Sequence, residues 1–174
     1  MIVVDVGAYS HPDHRGASQD SVGRLIERFH PSVVYAFDPL HEPTRFGGPA
    51  VETVGETRVF RDRTAAWTHD REVLFDPSPA SPLSASVRED GTETVRCLDL
   101  ARFLKWVGDD GGIVLKLDCE GGEYVLLPWL IEQNAFTRVQ LVLVEWHDLP
   151  ARTAERNTIL GRIPAGVAVE EWTD

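Results

Sequence analysis

Short apolar runs alternate with segments of helical periodicity along this chain of 174 residues. The clearest runs lie in the segments MIVVDVGAY, SVVYAFDP, GGIVLKLD and RVQLVLVEWHD. After the first run, apolar side chains that share one helical face follow at Val22, Leu25, Ile26 and Phe29. Strands that alternate with helices predict an α/β fold, namely a doubly wound, mostly parallel sheet with helices on both faces. Because no repeat or linker interrupts the pattern, we predict a single domain over residues 1–174.

Charge and composition exclude several classes of protein. The net charge of −11 argues against a nucleic-acid partner, since phosphate contacts need a basic surface. The sequence shows no signal peptide and no apolar run of transmembrane length, so we expect no membrane association and a cytoplasmic location. The two cysteines, Cys97 and Cys119, have no metal-site spacing and are expected to be buried free thiols.

Four acidic residues fall at the predicted carboxyl ends of four different strands: Asp5, Asp38, Asp118 and Glu145. In open α/β sheets, ligands bind outside the carboxyl ends of the strands, where the strand order reverses. The pattern therefore predicts a polar site at this edge of the sheet. An acid after a strand can also cap the next helix or close a turn, and that alternative stays open for each residue.

The first two strand ends indicate the kind of ligand. Gly7 would let the backbone approach a ligand, and Asp38 is placed where an acid commonly binds both ribose hydroxyls of a nucleoside. Residues 9–11 lack the further glycines of a pyrophosphate loop. A nucleoside without a pyrophosphate, such as S-adenosylmethionine, fits both features. A nicotinamide-dependent oxidoreductase on a similar sheet and a non-catalytic, degenerate binding protein are the alternatives.

Seven segments resemble, in the same order, those of FkbM-type S-adenosylmethionine-dependent methyltransferases: VVDVGAY, VYAFDP, RTAAW, SAS, VRCLDLARFL, VLKLDCEGGEYVLL and LVLVEWH. The most specific is KLDCEGGE at residues 116–123, which resembles the family signature K-[IL]-D-x-E-G-x-E. The resemblance covers about residues 2–148. It implies the Rossmann-like class I methyltransferase fold in a compact, truncated form. It also implies an enzyme that O-methylates a sugar, a glycan or another small hydroxylated metabolite.

The resemblance also implies roles for individual residues. Asp5, Gly7 and Ala8 would line the methionine end of the cofactor, and Tyr9 is counted with them as cofactor-binding. Asp38 would bind the ribose. Ala65, Ala66 and Trp67 would border the adenine. Asp118 would lie beside the amino group and sulfonium, Glu120 would lie close to the acceptor, and Glu145 and His147 would come from the adjoining strand end.

The expected chemistry needs an aligned acceptor, because the sulfonium already activates the methyl group. A hydroxyl acceptor also needs a base, for which His147 is a candidate because its ordinary pKa lies near neutrality. Glu120 could be the base instead, or could position sugar hydroxyls, and Asp118 completes the predicted catalytic set. No metal site is predicted. The less favoured alternative is that Asp118, Glu120, Glu145 and His147 bind Mg²⁺ or Mn²⁺.

Two further expectations concern the turn and the cover of the site. Gly121 and Gly122 would let the chain turn sharply and leave Asp118 and Glu120 in the cleft. Alternatively, Glu120 would only cap the following helix, and Glu123 would favour the first turn of that helix through its dipole. Cover for the acceptor would come from residues 76–90 or from a second subunit, which would make the protein a homo-oligomer.

Overall fold

The computed structural model describes residues 1–8, 20–41, 48–77, 86–108, 111–147 and 150–173. Their strands and helices follow in chain order: β1 (Ile2–Val6), α1 (Ser21–Phe29), β2 (Val33–Phe37), β3 (Ala50–Val54), β4 (Thr57–Asp62), β5 (Ala65–Trp67), β6 (Glu72–Asp76), β7 (Ser86–Val87), β8 (Glu93–Asp99), α2 (Leu100–Trp106), β9 (Ile113–Leu117), α3 (Glu123–Glu132), β10 (Val139–Val144), α4 (Thr153–Leu160) and β11 (Ala168–Glu171).

The main sheet has seven strands in the order β11-β10-β9-β1-β2-β4-β3. All neighbouring strands in it are parallel except β3 and β4, which form an antiparallel edge pair. Counted along the chain, the six parallel strands lie in the order 3-2-1-4-5-6, and the order reverses between β1 and β9. The predicted α/β class with a mostly parallel sheet is therefore confirmed.

Apolar side chains on β1 point alternately to the two faces of this sheet, as the period of a strand requires. Ile2, Val4 and Val6 belong to the apolar cluster that includes buried residues of α2 and α3. Val3 belongs to a second cluster, with Val22 and Leu25 of α1. Helical residues thus pack against both faces. We call these faces the α2/α3 face and the α1 face.

A second sheet, in the order β5-β8-β6-β7, was not predicted. From the sequence, residues 51–67 are expected to hold one or two strands. Parts of three strands lie there, namely β3, β4 and β5. β5 pairs in parallel with β8, with Ala65 opposite Cys97. Sequence periodicity indicates that a segment is extended, but it does not choose the strand with which the segment pairs.

From the sequence, Ser18 or Asp20 is expected to cap the start of α1. Asp20 occupies the N-cap position, but its side chain makes no capping hydrogen bond. It lies instead in a buried ion pair with Arg61, at 3.5 Å. Ser18, the other candidate cap, lies outside the described residues.

Two simpler expectations can also be compared with the structure. Both cysteines are free; Cys97 is buried and Cys119 is half-buried. Within the described part of the chain, no helix is both long enough and apolar enough to cross a membrane.

Candidate functional site

Four strand ends at the centre of the main sheet lie in one row. Val6 is in register with Phe37 and with Leu117, and Leu117 is in register with Val144. Each of these residues ends its strand, so the next residues form a continuous edge: Asp38, Gly7, Asp118 and Glu145. We call this edge the rim. Three of the four predicted acids lie on it, beside the point where the strand order reverses.

The fourth acid, Asp5, does not lie on the rim, and its prediction as a strand-end residue is wrong. It is the fourth residue of β1, opposite Ala36 and Lys116, and it is fully buried. Ser21 Oγ donates a hydrogen bond to Asp5 Oδ2 at 2.7 Å, and Lys116 Nζ lies 3.2 Å from Oδ1. The strand ends later than predicted, so Gly7 takes the rim position and the Asp5 carboxylate lies beneath it.

Lys116 connects this buried acid to the rim, a role that the sequence analysis missed. Its ammonium group is fully buried and lies 2.9 Å from Asp118 Oδ2, and it donates a hydrogen bond to the Gly7 carbonyl oxygen at 3.2 Å. Burial alone would lower the pKa of Lys116, but the Asp5 and Asp118 carboxylates outweigh it and raise the pKa above its ordinary value. The available signal was the spacing of Lys116 and Asp118, since residues two apart share a face of a strand.

Gly7 brings the turn after β1 against the turn after β9. Its φ of +80° favours glycine, and a Cβ at this position would lie 1.5 Å from the Asp118 carbonyl oxygen. The Gly7 N–H donates to Phe37 O at 3.0 Å, and the N–H of the buried Ala8 reaches the same oxygen at 3.4 Å. Both amide groups are therefore used within the protein. Tyr9 lies outside the described residues.

Asp38 closes a turn at the end of β2. Its Oδ1 accepts a hydrogen bond from the Leu40 N–H at 2.8 Å, and the side chain is buried. This is the turn-closing role that the sequence left open. An ionised carboxylate offers about four acceptor positions, so this bond still allows a carboxylate to accept bonds from a ligand.

The predicted adenine side of the site is β5. Ala65 and Ala66 are buried, whereas Trp67 is half-buried. A Cβ on Gly122 would lie 3.2 Å from Trp67 Cζ3, so this indole packs against the turn after β9. Of the three predicted residues, Trp67 is thus the one shown next to the site.

The turn between β9 and α3 is built differently from the prediction. Gly121 has a φ of +96°, which favours glycine, but Gly122 has a φ of −66°, which any residue can adopt. Gly122 instead avoids crowding, because its Cβ would lie 3.0 Å from Cys119 Sγ. Glu120 itself has a φ of +52°. Such a conformation costs a non-glycine residue about 1–3 kcal/mol, and it occurs often at functional sites.

The alternative that Glu120 caps α3 is wrong. The N-cap of α3 is Gly122, and no side chain makes a capping hydrogen bond there. The acid that reaches back to the turn is Glu123, whose Oε2 accepts a hydrogen bond from the Gly121 N–H at 3.0 Å. Glu120 is therefore not needed to start the helix.

Glu123 does more than occupy the first turn of α3. It is fully buried, and its Oε1 accepts a hydrogen bond from the His147 N–H at 2.9 Å and lies 3.2 Å from His147 Nδ1. Burial alone would raise the pKa of Glu123, but the hydrogen bonds from the His147 side chain and backbone outweigh it and lower the pKa. An ionised carboxylate only accepts, so Nδ1 carries a proton and Nε2 is turned to the cleft.

Tyr124 completes the support of His147, because its hydroxyl donates a hydrogen bond to the His147 carbonyl oxygen at 2.9 Å. His147 is thus held through its N–H, its carbonyl and Nδ1. The sequence analysis missed this arrangement. Residues 123 and 147 are far apart in the chain, and no local pattern signals that they meet.

Three of the predicted residues come together at the end of the rim that follows β9 and β10: Asp118, Glu120 and His147. We call them the acid–imidazole cluster. His147 Nε2 lies 3.5 Å from Glu120 Oε1 and 3.8 Å from Asp118 Oδ1, and one ligand atom from each residue lies within 4.8 Å of the others. All three side chains are half-buried. Glu145, the fourth residue of the metal alternative, is not grouped with them among the described residues.

The electrostatics of the cluster change the expected role of His147. Its hydrogen bonds to Glu120 and then to Glu123 raise its pKa to about 10, against the opposing effect of partial burial. His147 is therefore an imidazolium at neutral pH. In the fold its pKa is thus moved away from its ordinary near-neutral value, and a protonated imidazole donates a proton rather than accepting one.

No protein-family model matches this chain, and no curated protein or solved structure shows significant similarity to it. The resemblance of residues 116–123 to the FkbM-type signature therefore stays a prediction. The rim and the acid–imidazole cluster are the observations from which a function can be proposed.

Proposed function

We propose that this protein is an S-adenosylmethionine-dependent methyltransferase of the FkbM type, with the doubly wound class I fold, that O-methylates a sugar or another small hydroxylated metabolite. One observation carries the proposal: the strand order reverses between β1 and β9, and Gly7 meets Asp118 there. Sheets with the order 3-2-1-4-5-6 bind nucleotides in the crevice at this point.

The rim supports a nucleoside ligand with a positive charge. The cofactor would lie over the turn at Gly7, with its ribose hydroxyls bound by Asp38. Its adenine would extend toward Ala65, Ala66 and Trp67. Asp118 would face the amino group and sulfonium, and a carboxylate favours such cations. Because residues 9–11 lack the further glycines that a pyrophosphate loop needs, this ligand fits better than a dinucleotide.

The acid–imidazole cluster would bind the acceptor. When bound, the cofactor would supply the activated methyl group that the acceptor hydroxyl oxygen receives, and S-adenosylhomocysteine would leave. Glu120 takes the hydroxyl proton, since His147 already carries one. The His147 imidazolium orients Glu120, and the Asp118 carboxylate stabilises the positive charge of the bound cofactor. A positioned base of this kind is worth about 10²–10⁴-fold in rate.

We also propose the partners of the enzyme and its location in the cell. The acceptor is a small hydroxylated molecule, a glycan or a sugar-containing metabolite, and the enzyme works in the cytoplasm. The acidic chain has no nucleic-acid partner in this proposal. Residues 76–90 or a second subunit of a homo-oligomer cover the acceptor; residues 78–85 lie outside the described part of the chain.

A calorimetric comparison of two ligands tests the cofactor. S-adenosylhomocysteine should bind and NAD should not. Asp38→Asn keeps an oxygen for the Leu40 N–H but removes the charge, so it should weaken binding of S-adenosylhomocysteine at least tenfold, because charge-assisted hydrogen bonds contribute about 1.5–3 kcal/mol each.

Asp62→Asn is the matched control. Asp62 Oδ1 accepts a bond from the Thr64 N–H at 2.9 Å, a turn of the same kind, one strand farther from the reversal. The Asp62→Asn variant should bind S-adenosylhomocysteine as tightly as the original protein. Binding of NAD, or equal loss in both variants, would overturn the assignment of the rim. A protein that binds neither ligand would support the non-catalytic alternative.

A further inference from the structure

The acid–imidazole cluster offers three metal-ligating atoms at short range. The distances from His147 Nε2 are 3.5 Å to Glu120 Oε1 and 3.8 Å to Asp118 Oδ1. A divalent cation with ligands at about 2.0–2.1 Å in octahedral geometry holds neighbouring ligands about 3 Å apart. The two distances from Nε2 therefore need to shorten by less than about 1 Å, a movement within reach of half-buried side chains. All three ligand atoms already lie within 4.8 Å of one another.

A residue that is not part of the cluster orients the His147 imidazole. The fully buried Glu123 lies 3.2 Å from His147 Nδ1 and also binds the His147 N–H. A metal-ligating histidine typically donates its second ring N–H to a carboxylate or carbonyl, which fixes the tautomer and points the other nitrogen at the metal. Glu123 is such a carboxylate, and it contributes no ligand atom to the cluster.

The Asp118 side chain is also held in place, by a contact on the side that faces away from the cluster. Its Oδ2 is bound by the buried Lys116 ammonium at 2.9 Å, whereas its Oδ1 is the oxygen nearer to His147. The side chain is thereby fixed with one oxygen directed to each side. Two carboxylate oxygens and one imidazole suit Mn²⁺, since oxygen ligands favour hard cations and imidazole favours the first-row transition series.

We propose that Asp118, Glu120 and His147 bind one divalent cation of the Mn²⁺ type, with Glu123 as the residue that positions the imidazole. The cation displaces the Nε2 proton of the His147 imidazolium, which is released to solvent, because a ligating imidazole nitrogen must be deprotonated. Three protein ligands leave about three positions of an octahedral ion open. On the function proposed above, which this last step assumes, two neighbouring hydroxyls of the acceptor take two of these positions. The acceptor class is then a vicinal diol, as in a sugar ring.

The test uses Mn²⁺ alone with the full chain, followed by calorimetry and by the loss of the free Mn²⁺ paramagnetic resonance signal. One saturable site is expected. Glu120→Gln and His147→Ala should each weaken its affinity tenfold or more. Glu123→Gln should weaken it by about 10–100-fold, the usual effect of losing an outer partner. A thermal melt of each variant checks folding.

Glu93→Gln is the charge-matched control, because Glu93 is an exposed carboxylate at the start of β8. It should keep the affinity of the original protein. Weak, unsaturable binding would overturn the site, and so would equal affinity in the Glu120→Gln, His147→Ala and Glu93→Gln variants, because Mn²⁺ would then only be attracted to an acidic surface. S-adenosylhomocysteine is titrated separately without metal. Its binding in a protein that does not bind Mn²⁺ would reject this site and leave the proposed cofactor intact.

Discussion

The two faces of the main sheet are built from different chemistry. On the α2/α3 face, β1 and β9 contribute only apolar side chains, among them Val4, Leu115 and Leu117. On the α1 face, the same two strands bury Asp5 and Lys116. Across the sheet, Arg61 lies in the same row, and it forms a buried ion pair with Asp20. On these two strands, one face therefore buries only hydrocarbon, whereas the other buries paired charges beside its apolar cluster.

This difference follows the position of the candidate site. A buried charge costs several kcal/mol unless a partner compensates it, so a fold that only needs stability gains little from one. Here the buried charges lead outward, from Asp5 through Lys116 to Asp118 on the rim. We infer that the apolar side chains of β1 and β9 on the α2/α3 face mainly stabilise the sheet, whereas the charged row on the α1 face fixes Asp118 on the rim. Three variants test this, from the buried charges to the rim and then to the surface.

The largest effect is expected for Lys116→Met, which leaves Asp5 and Asp118 without their shared cation. Removing one partner of a buried ion pair typically costs about 3–5 kcal/mol. Urea unfolding of the variant should show a loss of that size. The matched control is Leu117→Met, the next residue on the opposite face, where a swap of similar volume should cost less than about 1.5 kcal/mol. Similar losses in the two variants would contradict the comparison.

A smaller and pH-dependent effect is expected at the rim. The pKa of His147 is raised to about 10 in the folded protein, from about 6.5 when unfolded. Its contribution to stability is therefore complete below about pH 6.5 and is lost as the pH rises through about 10. The carboxylates that face His147 are Glu120, Glu123 and Asp118. The hydrogen bonds from His147 outweigh burial and lower the pKa of Glu123, so this carboxylate remains ionised throughout the range.

His147→Gln isolates this contribution. The excess stability of the original protein over the variant should fall by about 1–2 kcal/mol between pH 7 and pH 9, a value reduced for partial solvent exposure. Urea unfolding at several pH values measures it. A difference that stays constant over this range would show that the cluster does not raise the pKa of His147.

The smallest effect is expected for the exposed pair on the α1 face. Arg28 Nη2 lies 2.6 Å from Glu170 Oε2, and the two side chains are 44% and 48% exposed. Exposed pairs contribute about 0–1 kcal/mol and are screened by salt. Arg28→Ala should therefore change stability by less than about 1 kcal/mol, and less still in 1 M salt. A loss as large as that of Lys116→Met would mean that burial is not what distinguishes these charges.

Local patterns were enough to predict much of the fold. Apolar runs marked β1, β2, β9 and β10, because a strand buried on both faces reads as a continuous hydrophobic segment. Helical spacing marked α1 in the same way. The ends of three strands placed Asp38, Asp118 and Glu145 on one edge, since parallel strands end on the same side of a sheet. One strand end, at Asp5, was wrong, because the buried acid resembled a polar residue at a boundary.

The sequence by itself thus determined which segments are strands or helices and where their polar ends lie, because these properties follow from the period of each element. Only the tertiary structure decided which segments become neighbours: β1 beside β9, β5 beside β8, and Glu123 beside His147. Lys116 shows the same limit, since Asp5, one of its two carboxylate partners, comes from a distant strand, β1. The pKa of His147 depends on carboxylates that a turn and a helix bring to it. Contacts between distant residues set each of these features, and no local period encodes them.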